Sequence, residues 1–230
     1  MWETKVNGRP LHFRLSGIND QNFFMRDRET GSWWQQVTGE SMIGPLEGHK
    51  LALVPHDEIS FATWKREQPG GRVLKPDPRA APRYAPANWE QRMAKVPTVA
   101  PVAPNDPLAA RDLVLGITIG DFSKAYPVSK LAGMAPLSDT LGSTAIVIVL
   151  DQDRSSVRVF DRSIDGRTLK MFAAPDTVSH ELIDGETGSR WNFRGHAVSG
   201  PLAGRMLRKL PAIKDYWFDW KKYHPETLIY

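Results

Sequence analysis

The sequence predicts an α+β fold that is mainly β, made of two diverged copies of one hairpin-rich unit. Each copy ends in a short helix and strand, and the first lacks its N-terminal half. Three observations carry this expectation. Asp27-Arg28-Glu29-Thr30-Gly31-Ser32-Trp33-Trp34 aligns with Asp184-Gly185-Glu186-Thr187-Gly188-Ser189-Arg190-Trp191, with six of eight positions identical. Allowing one deletion, Gly39, Gly44-Pro45-Leu46, Gly48, Leu51, Trp64 and Pro69 recur as Gly195, Gly200-Pro201-Leu202, Gly204, Leu207, Trp220 and Pro225, all at a separation of 156. Asn7-Gly8 and Asp165-Gly166 occupy equivalent places upstream, and both dipeptides favour a type I′ hairpin turn, whose two central residues need positive φ.

The first copy occupies residues 1–74. After the Asn7-Gly8 turn, the apolar run Asn22-Phe23-Phe24-Met25 meets Asp27, the turn and a Trp-bearing run. That is the pattern of two strands joined by a short loop with Gly31 left-handed. Residues 57–64 carry apolar side chains at helical spacing, acids early and basic residues late, as the helix dipole prefers. The helix is expected to stop before Pro69 and to be followed by the apolar run Arg72-Val73-Leu74. Residues 75–107 hold eight prolines around the stretch 87–95 and read as a linker with one short helix.

The second copy, residues 108–230, starts earlier in the unit. Residues 113–118 and 144–150 read as strands, the latter so continuously apolar that both faces should be buried. Asp165-Gly166, the run Glu181-Leu182-Ile183, Gly188, a helix over 214–220 that stops before Pro225, and Leu228-Ile229-Tyr230 repeat the plan of the first copy. The strands at 113–118 and 144–150 are expected to pair with the hairpins that follow. The first copy has no counterpart of them, so one edge of its sheet needs cover. Eight prolines make the linker a poor ladder donor. The expected cover is sheet continuation from the second unit, self-association, or an upstream segment.

Composition narrows the function. Lys and Arg number 30 against 26 Asp and Glu, with no block of like charges, which argues against a nucleic-acid partner. Zero cysteines close thiol chemistry and cysteine metal sites. His12, His49, His56, His180, His196 and His224 show no ligand spacing, so no metal is expected, and no nucleotide or cofactor motif is present. No apolar run reaches the ~20 residues that span a bilayer, nor does the start of the chain read as a signal peptide. The compartment stays open.

The recurring acids Asp27 and Glu29, repeated as Asp184 and Glu186, are the raw material of acid–base chemistry. Yet both pairs flank a turn, where Asp commonly accepts backbone N–H bonds, and the structural role is favoured. Arg28 stands where the second copy has Gly185, so the unit does not require it. Neighbours on a strand face opposite ways. The second copy keeps Trp191 for Trp34 and Phe193 for Gln36, but places Arg190 for Trp33 and Asn192 for Gln35. Trp34, Gln36, Trp191 and Phe193 are therefore expected inward, Trp33 and Gln35 outward. An outward Trp beside an amide and an arginine suits stacking on a sugar or another flat ligand. Arg28, Trp33, Gln35, Arg190 and Asn192 are thus the candidate ligand-binding residues. Packing of Trp33 against the linker helix or the other unit is an equal alternative.

The Asp-Arg-Glu-Thr-Gly-Ser-Trp-Trp hairpin, Gly39-Glu40-Ser41-Met42-Ile43-Gly44-Pro45-Leu46-Glu47-Gly48, Trp217-Phe218-Asp219-Trp220 and Lys124-Ala125-Tyr126-Pro127 together resemble the bacterial domain of unknown function 3179 family. The likeness covers residues 6–74 and 113–230. It implies no reaction. Similar members carry a cysteine-containing stretch after the long apolar strand, where this chain has Val149-Leu150-Asp151-Gln152-Asp153. The leading expectation is a non-enzymatic binding or scaffold module taking a small-molecule or carbohydrate ligand, with no cofactor. The alternative is a hydrolase-like enzyme using Asp27, Arg28 and Glu29 in a cleft between the units.

Overall fold

The structure, a computed structural model, describes residues 1–99, 102–175 and 181–230. Pro101 of the linker and His180 lie outside them. Strand exceeds helix by 38% to 14%, so the fold is mainly β with several antiparallel sheets. Among the described residues no helix is long and apolar enough to cross a membrane.

In the first segment, β1 (Lys5–Val6) and β2 (Arg9–Pro10) close over Asn7 and Gly8, whose φ of 50° and 79° suit the turn. The strands β3 (Phe13–Asn19), β4 (Asn22–Asp27), β5 (Trp33–Gln35) and β6 (Ser41–Ile43) form one antiparallel sheet in chain order. Its inner side chains Phe13, Met25 and Trp34 gather with Val6, Leu11 and Leu51. Helix α1 (Phe61–Glu67) starts later than its periodicity suggests, because Ser60 caps it by accepting from Thr63 N. Residues 57–60 run extended instead, and Glu58 makes an isolated bridge with Val157. The apolar run at 72–74 forms no strand, and Leu74 is 93% exposed. The linker holds a 3-10 turn (Pro78–Arg83) and α2 (Trp89–Met93), neither with a buried residue.

The second segment opens with β7 (Leu113–Ile119), β8 (Phe122–Pro127), α3 (Val128–Met134), β9 (Leu137–Leu141), β10 (Thr144–Leu150) and β11 (Val157–Asp161). The short ladder β12 (Ser163–Ile164) and β13 (Arg167–Thr168) turns over Asp165 and Gly166. Next come β14 (Met171–Ala173), β15 (Leu182–Asp184), β16 (Arg190–Trp191) and β17 (Ala197–Ser199), then β18 (Arg208–Leu210), β19 (Ile213–Tyr216), α4 (Trp217–Tyr223) and β20 (Leu228–Ile229). Three four-stranded sheets result, in orders β18-β11-β10-β9, β14-β15-β16-β17 and β19-β7-β8-β20. In the last, β20 joins β8 in parallel. The run at 72–74 has no such strand to join in this chain, which accounts for its lack of structure.

Strand β10 is buried on both faces, as its unbroken apolar run predicts. Ile146 and Ile148 enter one core with Leu115, Tyr126 and Leu131, while Val147 and Val149 enter another with Phe160, Leu182 and Trp191. The pairing expected between the hairpins and strands 113–118 and 144–150 does not form. The hairpins β14 to β17 make their own sheet and lie face-on against β10. The alternation of their inner residues is satisfied by packing and needs no shared ladder. Nor does the second segment continue the first segment's sheet, in which β3 and β6 remain the two edges.

Polar contacts join the segments. Arg158, 5% exposed, donates to Glu67 Oε1 at 2.6 Å and to Asp57 Oδ2 at 2.8 Å, and Lys209 Nζ reaches Asp57 at 2.7 Å. Burial opposes ionisation of Asp57, but Arg158 and Lys209 outweigh it and hold the carboxyl below the usual range. One turn away, Thr63 Oγ1 donates to Asp151 Oδ2 at 2.5 Å and Arg66 pairs with the same carboxylate. Helix α1 thus docks on the turn that follows β10, through Asp151 and Asp153.

Candidate functional site

The hairpin acids are tied to their own turns. Asp27, 1% exposed, accepts from Thr30 N at 2.6 Å, from Gly31 N at 3.2 Å and from the buried Trp34 Nε1 at 2.8 Å. Burial raises its pKa, yet these bonds prevail and hold it below the ordinary carboxylate value. Asp184 accepts from Thr187 N at 2.6 Å and Trp191 Nε1 at 2.8 Å, the same pattern. Glu29 accepts from His12 N and Nδ1 at 2.8 and 2.6 Å, and Glu186 accepts from Lys170 N at 2.7 Å. Asp27 and Asp184 thereby fasten their turns to the strands they end, and Glu29 and Glu186 tie the same turns to the residues just ahead of β3 and β14.

The five candidate ligand residues do not converge on one surface. Trp33 is half-buried, with its ring tilted against Phe24 at 5.8 Å and Arg26 over its face. Arg28 is exposed on the turn. Arg190 pairs with Glu181 at 3.4 Å, and Asn192 Oδ1 accepts from Arg194 N and His196 N. Gln35 corrects the expectation of an outward side chain: it is 2% exposed, whereas Gln36, expected inward, is exposed. Alternation places Gln35 on the face of Trp33, but α4 of the second segment covers that end of the sheet and sets Tyr223 against it. A single strand's pattern does not reveal what packs on its outer face.

A cavity of about 570 Å³ lies between the segments. Phe13, Leu15, Phe23 and Met25 of β3 and β4 line one side, Ile213, Lys214 and Asp215 of β19 the other, with Asn22, Asp219 and Trp2 at its rim. Its origin is visible in the second segment. There Met171 and Leu182, the counterparts of Phe13 and Met25, pack against Val147 and Val149 of β10. The first segment has no sheet of that kind in this chain, and the same apolar face fronts open space.

Two carboxyls meet in this cavity. Asp215 closes β19 and Asp219 sits in the first turn of α4, where the strand-to-helix corner brings them into hydrogen-bond contact. Asn22 Nδ2, from the first segment, donates to Asp219 Oδ1 at 2.5 Å, and Asp215 Oδ1 accepts from Tyr216 N at 2.7 Å. Burial first, and the Asp219 charge second, push the Asp215 carboxyl up to about 8, and burial raises Asp219 as well. The pair therefore keeps a proton at neutral pH. Behind Asn22, the Tyr223 hydroxyl faces the side chains of Gln35 and Asn22.

These acids are absent from the sequence-based candidates because their early position in a predicted helix reads as dipole complementarity. A signal was present: at the offset of 156, Asp215 and Asp219 align with Ile59 and Thr63 of the first segment. Among the described residues no group of three His, Asp or Glu side chains could hold a metal ion.

No curated protein and no solved structure matches the chain. The sequence model of the family described as "Protein of unknown function (DUF3179)" matches residues 1–227, the linker included. With 227 of 230 residues matched, the chain belongs to the DUF3179 family of proteins of unknown function.

Proposed function

We propose that the protein is a binding module that takes a small organic molecule in the cavity between its two segments, gripped by the Asp215–Asp219 pair. One observation carries this reading: a pair of carboxyls, one held protonated near neutral pH, stands in an apolar cavity large enough for a ligand. A carboxyl pair of this kind burdens the fold, whereas the hairpin acids strengthen it, and groups costly to stability are the ones a function retains. The hairpin faces offer less, since Asp27, Glu29, Asp184 and Glu186 spend their lone pairs on local donors.

A neutral apolar fluorophore such as N-phenyl-1-naphthylamine tests the cavity. It should bind one equivalent, at least about fivefold more weakly after Phe23→Glu, and unchanged after Trp33→Ala or Arg28→Ala. Binding that follows Trp33 and ignores Phe23 would return the site to the hairpin face. A dimeric mass in solution, with a strand of the second copy filling the cavity, would replace the ligand with a protein segment. A second reading, acid–base catalysis, rests on the same pair, because a neutral carboxyl beside an ionisable partner can donate a proton at neutral pH. Chemical turnover of a bound molecule, lost in Asp215→Asn, would favour it.

A further inference from the structure

We infer that the cavity's ligand is an organic cation, a protonated amine with an apolar body, its ammonium group set against Asp215 and Asp219 and its body against the aromatic side chains of the lining. The inference rests on the cavity being the binding site and names what that site takes.

The acid pair lacks a counter-charge, and its surroundings show why. Around it stand Asp20 and Asn22 from the β3–β4 hairpin, Glu58 from the extended stretch before α1, Arg111 before β7, and Lys214, Lys222 and Tyr223 from its own elements. Every nearby cation is engaged elsewhere. Lys214 Nζ donates to the carbonyl oxygens of Glu58 and Ser155. Lys222 faces Asp20 at 3.6 Å. The Arg111 guanidinium lies over the rings of Tyr216 and Phe218 at 4.9 and 4.8 Å and donates to Val96 O. Of the other basic groups on the lining, the Met1 amino group and His56 Nδ1 face each other at 3.5 Å, and Arg14 of β3 forms no ion pair among the described residues. Among the described residues neither acid forms an ion pair with a side chain.

A buried carboxyl pair without a cation can hold a proton or take a cation from outside. The lining favours the second, since it carries the aromatic side chains Phe13, Phe23 and Trp2, a residue class that attracts ammonium groups.

Calorimetry with two probes of one shape separates the possibilities: phenethylamine, which carries the cation, and 2-phenylethanol, its neutral counterpart. Phenethylamine should bind at least about tenfold more tightly than the alcohol. Amine binding should release a proton, read from heats in buffers of different ionisation enthalpy, and should strengthen from about pH 6 to about pH 8.5. Asp215→Asn should weaken the amine about tenfold and leave the alcohol unchanged. If the alcohol binds as tightly as the amine, or amine affinity ignores Asp215→Asn, the cation is refuted while the cavity stands. If no probe binds and N-phenyl-1-naphthylamine does not bind either, the cavity reading itself fails.

Discussion

The two hairpins and the two closing helices of this chain behave in opposite ways. The hairpins at 27–34 and 184–191 are built with the same bonds, Thr N to Asp at 2.6 Å and Trp Nε1 to Asp at 2.8 Å in both. The helices α1 and α4 occupy matching positions, 61–67 and 217–223, yet meet different partners. Thr63 of α1 donates to a carboxylate that Arg66 neutralises. Its counterpart Asp219 meets an amide and a second acid with no cation. What is shared is what the local fold demands, and what differs is free to serve something else. By that criterion the hairpin acids are structural, and Asp215 and Asp219 are the residues on which the proposed function rests.

Breaking the shared part should cost most. Asp27→Ala and Asp184→Ala each orphan a buried indole N–H and a backbone N–H, and each should lower stability by about 3 kcal/mol in urea unfolding, the two values agreeing within about 1 kcal/mol. A loss confined to one hairpin would show that the matching bonds do not carry matching weight. Next comes the contact that docks α1. Arg158→Met leaves Glu67 without its cation and Asp57 with Lys209 alone, and should cost roughly 3 kcal/mol, recovered in part by Glu67→Gln in the same chain.

The unpaired acids should show the reverse sign. The folded pKa of Asp215, about 8, lies above its ordinary value of 3.8. Its neutral form fits the fold at acid pH, and stability is lost as pH rises through the window from about 4 to about 8. Asp215→Asn should therefore be close to neutral near pH 4 and should stabilise by about 1–2 kcal/mol near pH 8. Equal effects at both pH values would remove the burial argument. The smallest effect belongs to Arg28, exposed on its turn and replaced by Gly185 in the other hairpin. Arg28→Ala should change stability by less than about 0.5 kcal/mol.

Much of the fold is legible in the sequence because its signals are local. Asn7-Gly8 and Asp165-Gly166 take the positive φ angles their turns require, and β10 is buried on both faces as its run of Ile and Val demands. The helix starts are missed by a few residues: Ser60 caps α1, and the stretch before α4 is drawn out as β19 by pairing with β7. The site was not legible. Gln35 reads as outward because alternation is a property of one strand, and its burial under α4 is a property of the whole chain. Asp215 and Asp219 read as solvated helix acids because nothing nearby in sequence announces that Asn22, almost 200 residues earlier, will cap one of them.

The central claim, that a carboxyl pair in the cavity keeps a proton at neutral pH, is open to direct measurement. A carbon-detected NMR titration of the aspartate side chains, assigned with Asp215→Asn and Asp219→Asn, reports each carboxyl in the intact protein. Asp215 should titrate near pH 8, with Asp219 responding to the same step as its partner gains or loses the proton. Ionisation of both carboxyls below about pH 5, each independent of the other, would contradict the claim and leave the cavity without its polar anchor.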